Sequence, residues 1–213
     1  MKTAKVTFLD EVQIEKFFKN FFENNKTYNL ILASGNTIEG LVKKIFPFPN
    51  QCVSVFNIFL SDERCVKLNS IHSNSYRFKR IFKNYSSNLK LHLPSSSNKD
   101  WFKTCKEYSS NYPKEVHLTL LSLADDGHFA SIWPGYNLKE DNSFNLIPKE
   151  LSFGKYTRMS ISLKKINSSK KVILLVFGNK KNLLLKKILK DKNHPIHRIR
   201  KLEIISDSIP KLK

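Results

Sequence analysis

The amino-acid sequence predicts one α/β domain over residues 1–213, built on a mostly parallel, twisted sheet with helices on both faces. Three observations predict it. Short apolar runs of strand length alternate with longer stretches whose apolar residues recur at helical spacing. One run, Val172–Phe177, is apolar without interruption, as a parallel strand covered on both faces must be. Three runs end in polar clusters, Ser34–Thr37, Asp62–Arg64 and Asp125–His128, and open α/β sheets bind ligands at the carboxyl ends of their strands. A chain of 24.8 kDa can bury one core of this kind and is short for two.

The elements follow in order. Asp10 with Gln13 three residues later has the pattern of a capping box. Val12, Ile14, Phe17, Phe18, Phe21 and Phe22 then form an apolar stripe, so a helix is expected to Asn24. Tyr28–Ala33 reads as a buried strand, Ser34-Gly35-Asn36 as a turn, and Thr37–Phe46 as a helix. Val53–Leu60 is a second strand, and a helix is expected over Ser75–Phe82. The polar stretch Asn84–Lys99 reads as loop around a short strand at Leu89–Leu91, followed by a helix over Trp101–Ser109. Val116–Leu121 is a third strand. Lys139–Tyr156 reads as a loop beside the site, and Met159–Leu163 alternates as a strand. After Val172–Phe177 come a helix over Asn179–Leu189 and a strand at Leu202–Ile205.

Composition narrows the function classes. The formal net charge is +19, with 37 Lys and Arg against 18 Asp and Glu. Either a basic face binds nucleic acid or acidic membrane, or a lysine-rich surface draws anionic small molecules inward. The lysines are spread along the chain and no basic-aromatic repeat accompanies them, which favours the second reading. Cys52, Cys65 and Cys105 have neither disulfide-framework nor metal-ligand spacing. The first residues lack an apolar signal core, and no apolar run is long enough to span a bilayer. A cytoplasmic monomer without nucleic-acid or membrane partners is the expectation.

Three clusters carry chemistry. The turn Ser34-Gly35-Asn36-Thr37 between strand and helix can offer N–H groups and hydroxyls to an anion, aided by the helix dipole. It can equally be an ordinary tight turn. Asp62-Glu63-Arg64 is either a solvated loop or, through the planar fork of Arg64, an oxyanion clamp. In Asp126-Gly127-His128 the imidazole can act as a general base whose tautomer the carboxylate fixes. Alone, such a histidine is more often a surface residue.

Taken together these segments resemble a known family. Leu121–Gly135, with Asp126-Gly127-His128-Phe129-Ala130-Ser131 and a closing Pro134-Gly135, is similar to the main signature of the 6-phosphogluconolactonases. Ser61-Asp62-Glu63-Arg64-Cys65-Val66 resembles that family's second signature, with Ser73-Asn74 at the usual distance, and Ser34–Thr37 takes the place of the first. Arg158–Leu163 resembles a later strand opened by Arg. Gly178-Asn179-Lys180-Lys181 resembles a phosphate-binding turn, and Pro195 and Asp207 fall where the family has Pro and Asp. The glucosamine-6-phosphate deaminase branch has a similar Asp-Gly-His but places Glu five residues after the His, where this chain has Trp133, and Tyr where it has Arg64.

The resemblance implies a three-layer, Rossmann-like fold and hydrolysis of 6-phospho-D-glucono-1,5-lactone without metal or cofactor. His128 would be the general base and Asp126 its orienting carboxylate. Ser34, Gly35, Asn36, Thr37 and Lys181 would hold the phosphate, Arg64 and Arg158 would line the anionic pocket, and Asp62 would bond sugar hydroxyls or cap the following turn. A deaminase of the same fold and a binding protein without turnover stand as alternatives. The chain departs from the family at Ser34, Ser122 and Ala124, where glycines are usual. An alanine avoids the left-handed region, so φ below zero is expected at Ala124.

Overall fold

A computed structural model describes residues 5–22, 26–45, 54–85, 88–95, 100–135, 143–152 and 155–207. The strands are β1 (Lys5–Phe8), β2 (Thr27–Leu32), β3 (Val55–Leu60), β4 (Asp62–Arg64), β5 (Leu89–His92), β6 (Leu118–Ser122), β7 (Phe144–Ile147), β8 (Arg158–Ile161), β9 (Lys171–Val176) and β10 (Leu202–Ser206). The helices are α1 (Glu11–Phe21), α2 (Asn36–Ile45), α3 (Asn74–Ile81), α4 (Trp101–Ser110), α5 (Leu163–Asn167) and α6 (Asn179–Lys190). Seven strands form a parallel sheet in the order β1-β10-β9-β6-β2-β3-β5, and β4-β8-β7 form a small antiparallel sheet.

Strand pleating divides the core in two. Leu30 and Leu32 of β2 and Ile173 and Leu175 of β9 face one layer, where Phe18 of α1, Ile38 and Val42 of α2 and Phe78 of α3 pack. Ile31 and the alternate β9 residues Val172, Leu174 and Val176 face the other, against Tyr108 of α4, Ile166 of α5 and Leu185 of α6. Both faces are therefore covered, which is why β9 reads as an unbroken apolar run. α1 begins at the expected capping box, with Gln13 N on Asp10 Oδ1 at 2.8 Å and Asp10 N on Gln13 Oε1 at 3.0 Å.

Four differences from the sequence reading have local causes. The strand from Met159 stops at Ile161 because the Ser162 side chain accepts from Lys165 N and starts α5. The expected loop Lys139–Tyr156 contains β7, which pairs with β8; residues 136–142 and 153–154 lie outside the described set, as do Phe46 and Cys52. Asp62–Arg64 is neither loop nor solvated: it pairs with β8, and Asp62 and Glu63 are buried. The short strand β1, which lies on the sheet edge against β10, carries too few apolar residues to stand out in the sequence. Among the described residues no helix is long and apolar enough to cross a membrane, and no cluster of acidic, His or Cys residues could hold a metal.

Candidate active site

A pocket of about 440 Å³ opens at the carboxyl ends of β2, β3 and β6. Ser34, Gly35, Asn36 and Thr37 line one side, at the start of α2. Gly35 has φ +126, which an L residue rarely adopts, and its carbonyl accepts the first helical bond, from Glu39 N. Asp62, Arg64 and Arg158 line a second side, and His128 and Lys181 complete it. Every residue to which the resemblance gives a catalytic or binding role lines this pocket except Asp126, which stands behind His128.

The Asp126 and His128 side chains meet closely. His128 Nδ1 lies 2.6 Å from Asp126 Oδ1, and His128 N donates to the same oxygen at 3.3 Å. A carboxylate can only accept, so Nδ1 carries the proton and Nε2 keeps its lone pair. The other oxygen, Asp126 Oδ2, accepts from Trp133 Nε1 at 3.1 Å. Burial pushes the His128 imidazole below its ordinary pKa, although Asp126 and Asp62 pull it up, so the ring is neutral at pH 7. Burial also works to raise the Asp126 carboxyl. The charge that His128 carries at the acid pH where this carboxyl titrates, together with the hydrogen bonds from Trp133 and His128, outweighs it and holds that group below the ordinary range.

Trp133 joins the two halves of the site. Its ring packs on His128 with centroids 4.4 Å apart, and the Arg158 guanidinium lies 5.2 Å from its centroid. Arg158 Nη1 is 3.7 Å from Asp62 Oδ2, which also accepts from Ser131 Oγ at 2.8 Å, while Asp62 Oδ1 accepts from Ser61 Oγ at 3.0 Å. The Asp62 carboxylate thus forms an ion pair with Arg158 on the pocket wall. Capping of the next turn falls instead to Glu63. Its carboxylate accepts from Arg64 N, Asn74 N and Ser75 N, each at 2.7 Å, and from Ser73 Oγ at 3.0 Å. Burial raises the Glu63 carboxyl, against the hydrogen bonds from Ser75, Asn74 and Arg64.

Lys181 sits in the first turn of α6, on the turn that Asp207 anchors. The Asp207 carboxylate accepts from Gly178 N at 2.9 and 3.1 Å and from Asn182 Nδ2 at 3.0 Å. Around the pocket three buried polar atoms have no partner among the described residues: Ser34 Oγ, Asn74 Oδ1 and Arg158 Nε. Leaving such an atom unpaired costs about 1–3 kcal/mol, so orphans on more than one side of the pocket are what a polar ligand would satisfy.

Sequence reasoning missed the contacts of Trp133, Ser131 and Asn74. Ser131 and Trp133 lie in the main signature, and Asn74 follows Ser73 at the family distance, but no periodicity records their partners: Asp62 and Ser160 for Ser131, Arg158 besides the nearby Asp126 and His128 for Trp133, and Asp62 and Glu63 for Asn74. The backbone at Ala124 is not left-handed, as expected. The described residue that is left-handed without being glycine is Ala130, φ +50, in the tight turn closed by Ile132 N on Phe129 O.

Residues 10–205 match the sequence model of the family described as glucosamine-6-phosphate isomerases/6-phosphogluconolactonase. A 6-phosphogluconolactonase of Thermotoga maritima is 29% identical, with 94% of this chain and 91% of that protein covered. A 6-phosphogluconolactonase of Borreliella burgdorferi is 27% identical, with coverages of 81% and 77%. Among solved structures, the Thermotoga maritima 6-phosphogluconolactonase superposes with a TM-score of 0.75 at 24% identity, over 95% of this chain and 99% of that one. A monomeric glucosamine-6-phosphate deaminase superposes with a TM-score of 0.74 at 16% identity, over 95% and 97%. Both superpositions establish the fold.

Proposed function

The chain belongs to the family of glucosamine-6-phosphate isomerases and 6-phosphogluconolactonases, and on that premise we propose that it is a hydrolase that opens 6-phospho-D-glucono-1,5-lactone to 6-phosphogluconate, a step of the pentose phosphate pathway. The observation that carries this reading is an imidazole, held through Nδ1 by Asp126, on the wall of a pocket that also presents Arg64, Arg158 and Lys181. That pairing suits removal of a proton from water beside a substrate that bears a phosphate.

His128 Nε2 takes a proton from water as the water oxygen attacks the lactone carbonyl carbon. The C–O bond to the ring oxygen then breaks, and the imidazolium returns the proton to that departing oxygen. Asp126 stabilises the imidazolium between the two steps and never gains a proton itself. General acid–base help of this kind is worth about 10²–10⁴-fold. The phosphate lies at Ser34–Thr37, where the start of α2 contributes its dipole, and on Lys181. Arg158, steadied by Asp62 and Trp133, lines the anionic pocket with Arg64.

Trp133 favours lactone hydrolysis over the deaminase reading, because the deaminase branch has a Glu there. The setting we propose is a cytosolic monomer with a sugar-phosphate substrate and no nucleic-acid partner. Lactone hydrolysis by the purified protein, corrected for spontaneous opening, tests the reaction. His128→Ala should lose about 10²-fold or more of kcat while remaining folded. Wild-type turnover in that variant would remove His128 from the mechanism, and ammonia release from glucosamine 6-phosphate would move the protein to the other branch.

A further inference from the structure

His194 lies outside the pocket and no step above uses it, yet it is a fully enclosed polar ring. Burying an imidazole is unfavourable unless its nitrogens find partners, and an apolar chain would fill the same space without that demand. Both nitrogens do find partners. Ile196 N donates to His194 Nδ1 at 3.2 Å, so the ring proton sits on Nε2. Nε2 in turn lies 3.0 Å from Gly127 O, 67 residues away in the sequence.

The peptide that carries Gly127 O also carries His128 N, and His128 N donates to Asp126 Oδ1. One peptide plane is thus gripped from two sides, by Asp126 beside the pocket and by His194 behind it. The turn is closed by Gly127 N on Ala124 O at 3.1 Å and Ala124 N on His128 O at 2.9 Å. Gly127 has φ +91, and a Cβ built on it would come within 3.5 Å of Ile188 Cδ1 and 3.7 Å of His194 Nε2. Ile188 and His194 are thus the side chains that face the turn from behind, and the hydrogen bond from His194 is its direct contact with them. His194 is itself fixed by the short helix Pro195–Arg198 that it caps.

We propose that His194 is a positioning residue for His128: through Gly127 O it fixes the peptide plane from which the His128 imidazole projects, and so holds Nδ1 on Asp126. The effect on turnover rests on the hydrolase reading; the effect on the ring geometry does not. A group displaced by about an ångström can lose on the order of 10²-fold in rate, so a support of this kind acts on kcat rather than on substrate binding.

The test compares His194→Leu, which fills the space without a donor, with His194→Gln, whose amide can still donate to Gly127 O. In lactone hydrolysis the Leu variant should lose about tenfold or more in kcat with KM within about twofold, and the Gln variant should recover most of it. Nitrogen NMR of His128 supplies a second readout. The wild type should show one tautomer, protonated on Nδ1, and the Leu variant a mixture. If the Leu variant does not fold, His194→Met, as long as Gln and without a donor, takes its place. Wild-type kcat and a single tautomer without the donor would overturn the proposal. So would a loss that appears in KM, or a Gln variant no better than Leu at equal thermal stability. If the wild type hydrolyses no lactone yet the tautomer of His128 shifts in the Leu variant, the hydrolase reading fails and the positioning role stands.

Discussion

Replacing Asp126 by Asn removes a charge and also sets the site a geometric puzzle. In the native protein the two carboxylate oxygens accept from opposite sides, Oδ1 from His128 Nδ1 and N, Oδ2 from Trp133 Nε1. An amide has one accepting oxygen. Turned toward His128, it leaves its NH₂ facing the Trp133 N–H, which cannot accept and sits on a buried ring. Turned toward Trp133, it keeps that bond and donates to Nδ1, giving up only the 3.3 Å contact to His128 N. The second arrangement retains more, and it moves the imidazole proton to Nε2, where a base cannot have it. Asp126→Asn should therefore cost the whole general-base contribution, about 10²–10⁴-fold in kcat. Loss of the charge-assisted bond alone is worth less. The Asp126 side chain is 52% exposed, so the low end of the range applies, about 1.5 kcal/mol or roughly tenfold.

The two contributions separate in a double variant. Trp133→Phe keeps a ring against His128 and Arg158 but removes the competing donor, and alone should cost only a few-fold, about 1 kcal/mol for one hydrogen bond. In Asp126→Asn with Trp133→Phe the amide oxygen is free to face His128 and restore the Nδ1 tautomer. The double variant should thus be faster than Asp126→Asn alone, about tenfold below Trp133→Phe. Steady-state kcat for the four proteins, corrected for spontaneous opening, decides the matter. A double variant no faster than Asp126→Asn would show that tautomer choice is not what Asp126 supplies.

Lys181→Ala should lower kcat/KM for the phosphorylated lactone by about 10-fold or more, a charged hydrogen bond being worth about 1.5–3 kcal/mol, and leave the unphosphorylated lactone nearly unchanged; equal losses on both would make Lys181 a surface residue. The log of kcat/KM should rise with pH and level off through an inflection below the ordinary imidazole value of about 6.5, because burial depresses His128 and the base works only when neutral; an inflection above that value would mean Asp126 outweighs burial. Ala130→Gly should stabilise the fold by up to about 1 kcal/mol, by relieving a left-handed alanine at φ +50 less the added unfolded-state entropy, whereas Ala124→Gly has no strain to relieve and should destabilise by about 0.4–1 kcal/mol; denaturant midpoints that rank the pair the other way would contradict the assignment of strain.

What the sequence could reveal followed from which interactions are local. The β9 run is legible because burial on both faces demands apolar residues in succession, and the start of α1 because its capping box closes within four residues. The second sheet was not legible. β4 has three residues, all charged, and a strand of that kind is stable only because Glu63 finds three donors at the start of α3, Ser73 Oγ, Asn74 N and Ser75 N, and Asp62 meets Arg158 from β8. Those partners are 10 to 12 residues away for Glu63. For Asp62 the partner Arg158 sits in another strand, so no periodicity records it. The same holds for the site. Asp126 and His128 stand two apart and their pairing could be read directly, while Trp133 entered the sequence reading as part of the signature and as a departure from the deaminase pattern, with no contact assigned to it. Its role depends on three contacts at once, with Asp126, His128 and Arg158, and the last of these comes from β8. His194 is further still from legibility, since a lone histidine before a proline carries no pattern. It gains meaning only when the fold brings it under Gly127. Residues that hold a reacting group from behind are chosen by the turn they support, and that turn exists only once the sheet has formed.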